Sequence, residues 1–240
     1  MADSKRDRRT NVALLIDADN ASPDSIDPVL TVLAELGTVN IRRIYGNWSK
    51  PALKGWSNIS HQYAIEPQQQ FDVAKHKNAT DMKMTIDAMD LLASGRVDGF
   101  GIMSSDSDFM PLAMRIRQDG LPVYGFGTGK TPESFQKACT RFIDVTALEA
   151  KNDAASPAKS KPKPKVDAEV ITLLIDALKA SKRDERGFAS LSEMGSRAGN
   201  RSSFDARNYG FPRLSELVKA VPRFATETRE GGRMFVKLVK

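Results

Sequence analysis

The stretch NVALLIDADN, residues 11–20, decides the fold of this chain. Residues 11–16 form a short, largely apolar run, and the acidic side chains of Asp17 and Asp19 follow it at once. A short apolar run predicts a strand that is buried on both faces, as in a parallel sheet. In such sheets the functional groups gather just beyond the carboxyl ends of the strands. The stretch therefore predicts a parallel sheet with acidic groups at the end of its first strand.

Strands and helices alternate along the rest of the first 149 residues. Further apolar runs predict strands at residues 39–45, 62–65, 100–103, 122–126 and 142–145. Apolar residues at helical spacing predict helices at residues 24–37, 80–94, 109–118 and 132–139, and a short Trp-containing helical segment before residue 62. Short strands separated by amphipathic helices indicate an α/β fold with a doubly wound, mostly parallel sheet.

A change in composition divides the chain. Residues 150–165, AKNDAASPAKSKPKPK, contain no aromatic or large aliphatic residue, so they cannot bury enough apolar surface to offset the entropy of ordering. Their prolines and lysines favour an extended, semi-stiff linker. The predicted organisation is a basic N-terminal tail at residues 1–10, a catalytic α/β domain at 11–149, a Lys/Pro-rich linker at 150–165 and a small domain at 166–240.

Charge is distributed unevenly between these parts. Residues 1–150 hold 17 Lys+Arg and 19 Asp+Glu, a net charge of −2, whereas residues 151–240 hold 19 and 11, a net charge of +8. An acidic first part and a basic second part fit carboxylates for chemistry and cations for a polyanion. A basic surface that serves solubility explains the same distribution equally well.

Two further observations bear on the location of the protein. The chain has no run approaching the roughly 20 apolar residues that a membrane-spanning helix needs, so we expect no membrane partner. Its single cysteine, Cys139, cannot form an internal disulfide. Since nothing in the sequence requires an oxidising compartment, a cytoplasmic location is expected.

Acidic residues also follow the strand predicted at residues 100–103. The sequence there is SSDSD, residues 104–108, and another aspartate falls in the first turn of the helix predicted at 80–94. If that helix start faces the strand ends, four carboxylates converge, namely Asp17, Asp81, Asp106 and Asp108. Because crowded carboxylates repel, some must hold protons or a cation must join them, and oxygen ligands alone select Mg²⁺ or Mn²⁺ over zinc. Alternatively, an aspartate after a strand is only a helix N-cap.

Three segments carry a resemblance to a known family. They are residues 11–20 (NVALLIDADN), residues 78–81 (NATD) leading into Asp87, and residues 104–109 (SSDSDF) with Leu112. In order and spacing, over residues 11–148, they resemble the NYN family, a group of PIN-like nucleases with a Rossmannoid sheet. One departure is the run KHKNAT before Asp81, where many relatives have a glycine-containing run.

The resemblance implies an endoribonuclease that hydrolyses RNA phosphodiesters with Mg²⁺ or Mn²⁺. Its implied catalytic and metal-binding acids are Asp17, Asp81, Asp106 and Asp108. We expect Asp17 and Asp106 to be direct metal ligands, and Asp81 and Asp108 to be ligands or water-positioning groups. Residues in a supporting role are Asp19, Asn20, Asp87 and Ser105.

Lysines near the acidic motifs are candidate contacts for the RNA backbone. Lys75 and Lys77 could hold a flanking phosphate, although two solvated lysines in a loop are an equally good interpretation. Residues 127–131, GTGKT, are similar to a phosphate-binding loop, but its required first glycine is replaced by Tyr124. We interpret this segment as a loop in which Thr131 caps the following helix and Lys130 contacts substrate phosphate.

Two other functions compete with the ribonuclease. Asp17 and Asp19 after the first strand also resemble the nucleophile loop of haloacid-dehalogenase-type phosphatases, which usually continues with glycine and threonine instead of the sequence Asn20-Ala-Ser found here. A non-catalytic RNA-binding adaptor that uses the first domain as a platform is the rival from another class. Acids at all four expected positions favour the enzyme.

The second part of the chain has its own pattern. Apolar spacing predicts helices at residues 170–178, after a candidate N-cap at Asp167, and at residues 205–219. Between them, residues 188–197 predict a short strand followed by a helix. Alternating runs at residues 224–228 and 233–238 flank Arg229-Glu-Gly-Gly, which predicts a hairpin. Three helices and a hairpin indicate a small winged-helix domain.

A second resemblance lies in this part. Residues 208–218, NYGFPRLSELV, closely resemble the OST-HTH (LOTUS) family, with a match over residues 166–240. That family is similar to RNA-binding modules and sometimes binds protein partners, so RNA, single-stranded or structured, is the expected partner and a protein is the alternative. Candidate phosphate contacts are Arg201, Arg207, Arg213, Arg229 and Arg233. Tyr209 is a candidate stacking group, unless it belongs to the core.

Overall fold

The computed structural model describes residues 10–71, 78–152 and 166–239, and the chain forms two compact units, Met1–Glu149 and Ala150–Lys240. Most of the predicted N-terminal tail and of the predicted linker lies outside the described residues, as do Lys75 and Lys77.

A six-stranded sheet forms the centre of the first unit. Its strands are β1 (Asn11–Asp17), β2 (Thr38–Gly46), β3 (Glu66–Gln69), β4 (Gly99–Met103), β5 (Val123–Gly127) and β6 (Arg141–Asp144). They lie in the order β3-β2-β1-β4-β5-β6, and every pair is parallel. The strand order reverses between β1 and β4, which makes this pair the topological switch point of the sheet. The predicted doubly wound α/β fold is confirmed.

Helices cover both faces of this sheet. They are α1 (Ile26–Leu36), α2 (Lys54–Ile59), α3 (Ala79–Ser94), α4 (Met110–Gln118), α5 (Glu133–Ala138) and α6 (Val145–Asn152). Successive side chains of β1 point to opposite faces. Leu14 and Ile16 pack in the core that contains α1, α2 and α6, whereas Ala13 and Leu15 pack in the core that contains α3, α4 and α5. Burial on both faces explains why residues 11–16 show no alternation of polar and apolar side chains.

The third predicted strand is wrong in position. Residues 61–64 form a turn, in which Ala64 has a positive φ of 50°, and the strand begins at Glu66. Ile65 is the buried residue that anchors the start of this strand in the core. Strand β3 itself, EPQQ, has no apolar pattern because it pairs with β2 alone at the edge of the sheet. An edge position also tolerates Pro67, which has no N–H for a second neighbour.

The second unit contains three α-helices and a three-stranded antiparallel sheet among residues 166–239. The elements are α7 (Ala168–Ala180), β7 (Ala189–Ser190), α8 (Leu191–Arg201), α9 (Leu214–Ala220), β8 (Phe224–Arg229) and β9 (Arg233–Leu238), with strand order β7-β9-β8. This is the element order of a winged helix. Asp167 is the N-cap of α7, since its carboxylate accepts a 2.9 Å hydrogen bond from the N–H of Val170. The hairpin turn contains Gly231 and Gly232, whose φ values of 75° and 72° favour glycine.

The long helix predicted at residues 205–219 is interrupted. A short 3₁₀ turn, Ala206–Tyr209, ends at Gly210, which has a left-handed φ of 85°, and α9 begins only at Leu214. Pro212 explains the gap, because proline restricts the residue before it to extended backbone and has no N–H to donate. Across the described parts of both units, no helix combines the length and the apolar character that crossing a membrane requires.

Candidate active site

The ends of β1 and β4 bring the first acidic motif next to the second. Ile16 pairs with Met103, the last residue of β4, so Asp17 at the end of β1 lies beside Ser104. The Ser104 hydroxyl donates a 2.8 Å hydrogen bond to Asp17 Oδ2. The two motifs therefore meet at the switch point of the sheet, where parallel α/β folds bind their ligands.

Asp17 is a buried carboxylate that is held in place by its neighbours. Its exposed fraction is 1%, and besides Ser104 it accepts hydrogen bonds from Asn20 Nδ2 at 2.9 Å and from the N–H of Asp19 at 3.2 Å. Burial raises the pKa of Asp17, while these three donors oppose the rise. A carboxylate fixed by donors on both oxygens has little freedom to turn, which suits a group that must present its lone pairs in one direction.

Asp106 combines a structural role with an unused oxygen. Its Oδ1 accepts a 2.9 Å hydrogen bond from the N–H of Asp108 and so caps the short 3₁₀ helix Ser107–Phe109. Its own N–H donates to Ser104 Oγ at 3.0 Å. Within the described chain, no hydrogen bond occupies Oδ2. The helix-cap interpretation is therefore correct for one oxygen of Asp106, and the second oxygen stays available to a ligand.

Asp81 lies in the first turn of α3 and is half-buried. Its carboxyl has neither a hydrogen bond nor an ion pair with any residue that the structure describes. Burial raises its pKa from 3.8 to about 6, and repulsion by Asp17, Asp106, Asp108 and Asp19 adds to the effect.

Asn78 connects the start of α3 to the loop after β4. Its side-chain amide donates a 2.7 Å hydrogen bond to Asp108 Oδ2. Asn78 directly precedes α3, so this bond fixes the position of Asp81 relative to the loop that contains Asp106. Asp108 itself is exposed. Asp17, Asp106 and Asp108 thus lie near enough to Asp81 to raise its pKa, although no three acids in the described ranges are close enough to hold a metal ion by themselves.

Three of the predicted supporting residues lie around this cluster. Asn20 holds Asp17, and the exposed Asp19 lies 3.4 Å from Lys50 Nζ. Ser105 accepts a 3.2 Å hydrogen bond from the N–H of Thr128 and so connects the loops after β4 and β5.

Asp87 has different surroundings. It is buried and lies 2.8 Å from Lys83 Nζ and 3.5 Å from an Arg43 nitrogen, and it accepts a 3.1 Å hydrogen bond from the Tyr45 hydroxyl. Its carboxylate is thus satisfied by a polar network between β2 and α3, outside the group of converging acids.

The GTGKT segment follows β5 and lies against the loop after β4. A Cβ on Gly127 would come within 2.9 Å of the Ser104 carbonyl oxygen and 2.5 Å of Thr131 Oγ1, so only glycine fits there. The predicted helix cap is wrong: Pro132 occupies the N-cap position of α5, and the buried Thr131 hydroxyl has no hydrogen-bond partner among the described residues. Lys130 is exposed.

Sequence reasoning missed three residues of this site. Ser104 bonds to both Asp17 and the backbone of Asp106, whereas only Ser105 was named. Counting residues from the strand ends would have found Ser104, because it is the first residue after β4. Asn78 and Lys50 show no comparable signal, since their contacts depend on how separate loops approach each other.

The candidate RNA contacts of the second unit fall into two groups. Arg207 is buried, and its guanidinium lies 2.9 Å from Asp205. Arg229 binds Asp184 at 2.6 Å and Glu227 at 3.1 Å. Tyr209 is half-buried and stacks on Phe204, with ring centroids 5.8 Å apart. These three side chains already have protein partners.

The other candidate arginines are exposed. Arg201 lies 3.8 Å from Asp176, a long ion pair between two exposed side chains. Arg213 precedes α9 and Arg233 begins β9. Exposed cations of this kind are accessible to a polyanion, and they make at most weak ion pairs.

Comparisons with known proteins identify the class of both units. The NYN domain family matches residues 11–149, and the OST-HTH/LOTUS domain family matches residues 161–236. The first match covers more than half of the chain, so this protein belongs to the NYN family, which groups PIN-like nucleases. It also contains an OST-HTH/LOTUS domain, a type of domain associated with RNA binding. Both resemblances inferred from the sequence are confirmed.

Individual relatives add no function to this family assignment. An uncharacterized protein of Methanocaldococcus jannaschii is 26% identical over 133 residues, which cover 51% of this chain and 50% of the relative. The chain therefore matches about half the length of that curated relative. A protein of unknown function from Vibrio parahaemolyticus aligns with a TM-score of 0.48 and 17% identity, over 58% of this chain and 95% of that one. A carbohydrate transporter from Acidothermus cellulolyticus, solved with myo-inositol, aligns with a TM-score of 0.28, 12% identity and coverage of 81% and 52%.

Proposed function

We propose that the first unit is a metal-dependent endoribonuclease and that the second unit recruits its RNA. The observation that carries the proposal is the convergence of four aspartates at the switch point of the sheet. The pKa of Asp81 supports this convergence, because the carboxylates of Asp17, Asp106 and Asp108 all raise it. Membership of a PIN-like nuclease family supports the same chemistry.

The acidic cluster fits a hard divalent cation, Mg²⁺ or Mn²⁺. Its donors are carboxylate oxygens, which these ions prefer, and a cation would relieve the repulsion on Asp81. In the described ranges, no three His, Cys, Asp or Glu side chains are close enough to hold an ion by themselves. Mg²⁺ does not require such a cage, because it usually keeps several waters and binds through one or two carboxylates together with substrate phosphate. The cluster therefore suits an ion that is bound partly by RNA.

The four aspartates have different roles in this proposal because their surroundings differ. A bound cation would polarise a phosphate oxygen and lower the pKa of the attacking water. Asp17, which Ser104 and Asn20 fix, and Asp106, which has an unused Oδ2, would hold it. Asp81 has no hydrogen bond within the described chain, so its oxygens can accept one from the water. Asp108, which is exposed and bound by Asn78, is placed nearer the solvent.

The basic second part supplies the recruitment of RNA in this proposal. Residues 151–240 have a net charge of +8, and the OST-HTH/LOTUS domain that they contain supports RNA as the ligand. Cations bound to phosphates release counterions, which gives affinity without sequence recognition. Arg201, Arg213 and Arg233 remain candidate contacts because they are exposed.

A cleavage assay tests the proposed function. Internally labelled RNA and single-stranded DNA are mixed with the full chain in EDTA, Mg²⁺ or Mn²⁺, and the products are sized. We expect internal cuts in RNA with either ion and none in EDTA. RNA binding without cuts under any condition would favour the non-catalytic adaptor. Release of inorganic phosphate from simple monoesters, with no internal cuts, would favour the phosphatase.

A further inference from the structure

A basic cavity lies in the second unit, and none of the residues named above as RNA contacts lines it. Its volume is about 580 Å³, and it lies between the end of α7, the loop after α7 and strands β8 and β9. Four cations line it, namely Lys179, Arg183, Arg186 and Lys237, and none of its lining residues within the described chain is acidic. Its apolar surface comes from Leu178, Ala225 and Leu238.

Most of the positive charge in this cavity is not neutralised by the protein. Lys179, Arg183 and Lys237 form no ion pair with any residue in the described ranges, and Arg186 alone pairs with an acid, Glu227, at 2.8 Å. Lys237 is oriented by the ring of Phe188, whose centroid lies 4.6 Å from its Nζ. By contrast, the cations of Arg207 and Arg229 are held by neighbouring carboxylates. Three of the four cations that line the cavity thus lack a counterion among the described residues.

The end of a helix explains only part of this arrangement. A cation in the last turn of α7 is favoured by the helix dipole, and Lys179 is such a residue. Arg183 and Arg186 lie in the loop beyond the helix, and Lys237 belongs to strand β9. The end of α7, the loop after it and strand β9 therefore all contribute cations to one concave site. A single solvated helix face would not bring cations together in this way.

We propose that this cavity binds the phosphodiester backbone of single-stranded RNA. The proposal rests on the proposed function, because it locates the site through which the second unit recruits RNA. Phosphates would contact the cations at the rim, and a ribose and base would pack on Leu178, Ala225 and Leu238. The volume lies in the range of small-ligand pockets, about 300–1,000 Å³, which suits an unpaired nucleotide. Because the cavity is lined by four cations and, among the described residues, by no acid, it favours a ligand with a negative charge on each of its units, as RNA has on each nucleotide.

The test uses a charge-reversing double variant of the full chain, Lys179→Glu with Arg183→Glu. Both side chains are exposed and make no ion pair in the described structure, so the fold should tolerate the change. The control is Lys219→Glu with Arg223→Glu, which alters the net charge equally at exposed positions that neither line the cavity nor belong to the candidate RNA contacts. Affinity is measured by fluorescence anisotropy, in EDTA to prevent cleavage, with a labelled single-stranded RNA of about 12 nucleotides. Lys179→Gln with Arg183→Gln repeats the test without new negative charge.

We expect the cavity variant to weaken RNA binding by at least about tenfold and the control by much less. The slope of log affinity against log salt should fall by about 1.4, since each lost phosphate contact on a single strand contributes about 0.7. Equal losses in the two double variants, or none in the cavity variant, would overturn the proposal. Loss of affinity for a polyglutamate of the same length with RNA binding intact would overturn it in favour of an acidic peptide. Metal-dependent cleavage by the wild-type chain, measured in parallel, separates either failure from a failure of the proposed function.

Discussion

The aspartates of the candidate active site differ in burial and in hydrogen bonding because their neighbours differ. Asp17 is buried and bound by three donors, Asp106 caps a 3₁₀ helix with one oxygen, and Asp81 has no donor in the described structure. The sequence located these acids because each follows a strand or begins a helix, where position can be counted. Ser104 and Asn78 were not identified, since a hydrogen-bond donor becomes visible only when two separate segments are placed side by side.

Ser104 should matter more than Ser105. Ser104→Ala removes the donor to the buried Asp17 and the acceptor of the Asp106 N–H, so we expect a loss of stability of about 1–3 kcal/mol. Cleavage should fall by about tenfold or more, which corresponds to about 1.4 kcal/mol in the activation barrier. The control is Ser105→Ala, which removes only a bond to the Thr128 backbone. Urea unfolding and single-turnover cleavage are the measurements, and equal effects of the two variants would contradict the role given to Ser104.

Asp81 should give the metal-free protein a characteristic pH dependence. Its pKa in the folded chain is about 6, above the ordinary 3.8, so the folded state retains a proton that the unfolded state loses. This contribution to stability is complete below pH 4 and is lost as the pH rises through 6. In EDTA, Asp81→Asn should therefore reduce the decline in melting temperature between pH 4.5 and 7.

Two controls test whether this pH dependence arises from Asp81. Asp90→Asn, at an exposed position of the same helix, should leave the decline unchanged. Adding Mg²⁺ at pH 7 should raise the melting temperature of the wild-type chain more than that of Asp81→Asn, because a cation relieves the repulsion among the acids. If all three proteins show parallel pH curves, the electrostatic description of the cluster is wrong.

At the scale of elements, apolar periodicity predicted the buried parts of the fold and failed where periodicity is absent. Strand β1 and helices α1 and α3 were located within one or two residues because their core-facing side chains recur regularly. Strand β3 has the sequence EPQQ, and only its pairing with β2 makes it a strand. The segment at 205–219 has apolar side chains at helical spacing, but Gly210 and Pro212 interrupt the backbone.

The interruption at Gly210 can be tested with alanine. Gly210 has a φ of 85°, which costs an L residue on the order of 1 kcal/mol, so Gly210→Ala should destabilise the second unit. Gly199→Ala is the matched control, because Gly199 lies inside α8 and a Cβ there meets no atom within 4 Å. That control should stabilise α8 by about 0.5–1 kcal/mol. Hydrogen exchange in α8 and α9 measures both, and a stabilising Gly210→Ala would show that the turn is not required.

At the scale of the whole molecule, the two units have separate cores and opposite net charges. The sheet of the first unit is covered on both faces, and the second unit has its own cluster around Leu174 and Val236. Each unit therefore has the apolar interior that independent folding needs. The charge difference between residues 1–150 and 151–240 was evident from the sequence, whereas the basic cavity required the folded positions of α7 and β9.

This division predicts how truncation changes RNA binding. Residues 1–150 alone should still cleave RNA, with weaker apparent affinity and a flatter salt dependence than the full chain, because most of the phosphate contacts are removed. Residues 166–240 alone should bind RNA at low salt. The measurement is RNA affinity against salt for the full chain and both fragments. If 166–240 does not bind RNA while 1–150 binds as well as the full chain, the second unit is better described as a protein-docking domain.

The central claim is that the aspartates at the β1–β4 switch point hydrolyse RNA, and metal-dependent cleavage by Asp17→Asn and Asp106→Asn tests it most directly. Asparagine at position 106 keeps the oxygen that accepts the Asp108 N–H, and asparagine at position 17 keeps one for Ser104 and Asn20 while losing only the 3.2 Å bond from the Asp19 N–H, so both variants should fold. We predict that each variant abolishes internal RNA cleavage in Mg²⁺ and Mn²⁺, with an unchanged circular dichroism spectrum. The control Asp90→Asn should cleave at the wild-type rate. Full magnesium-dependent cleavage by both variants would contradict the account.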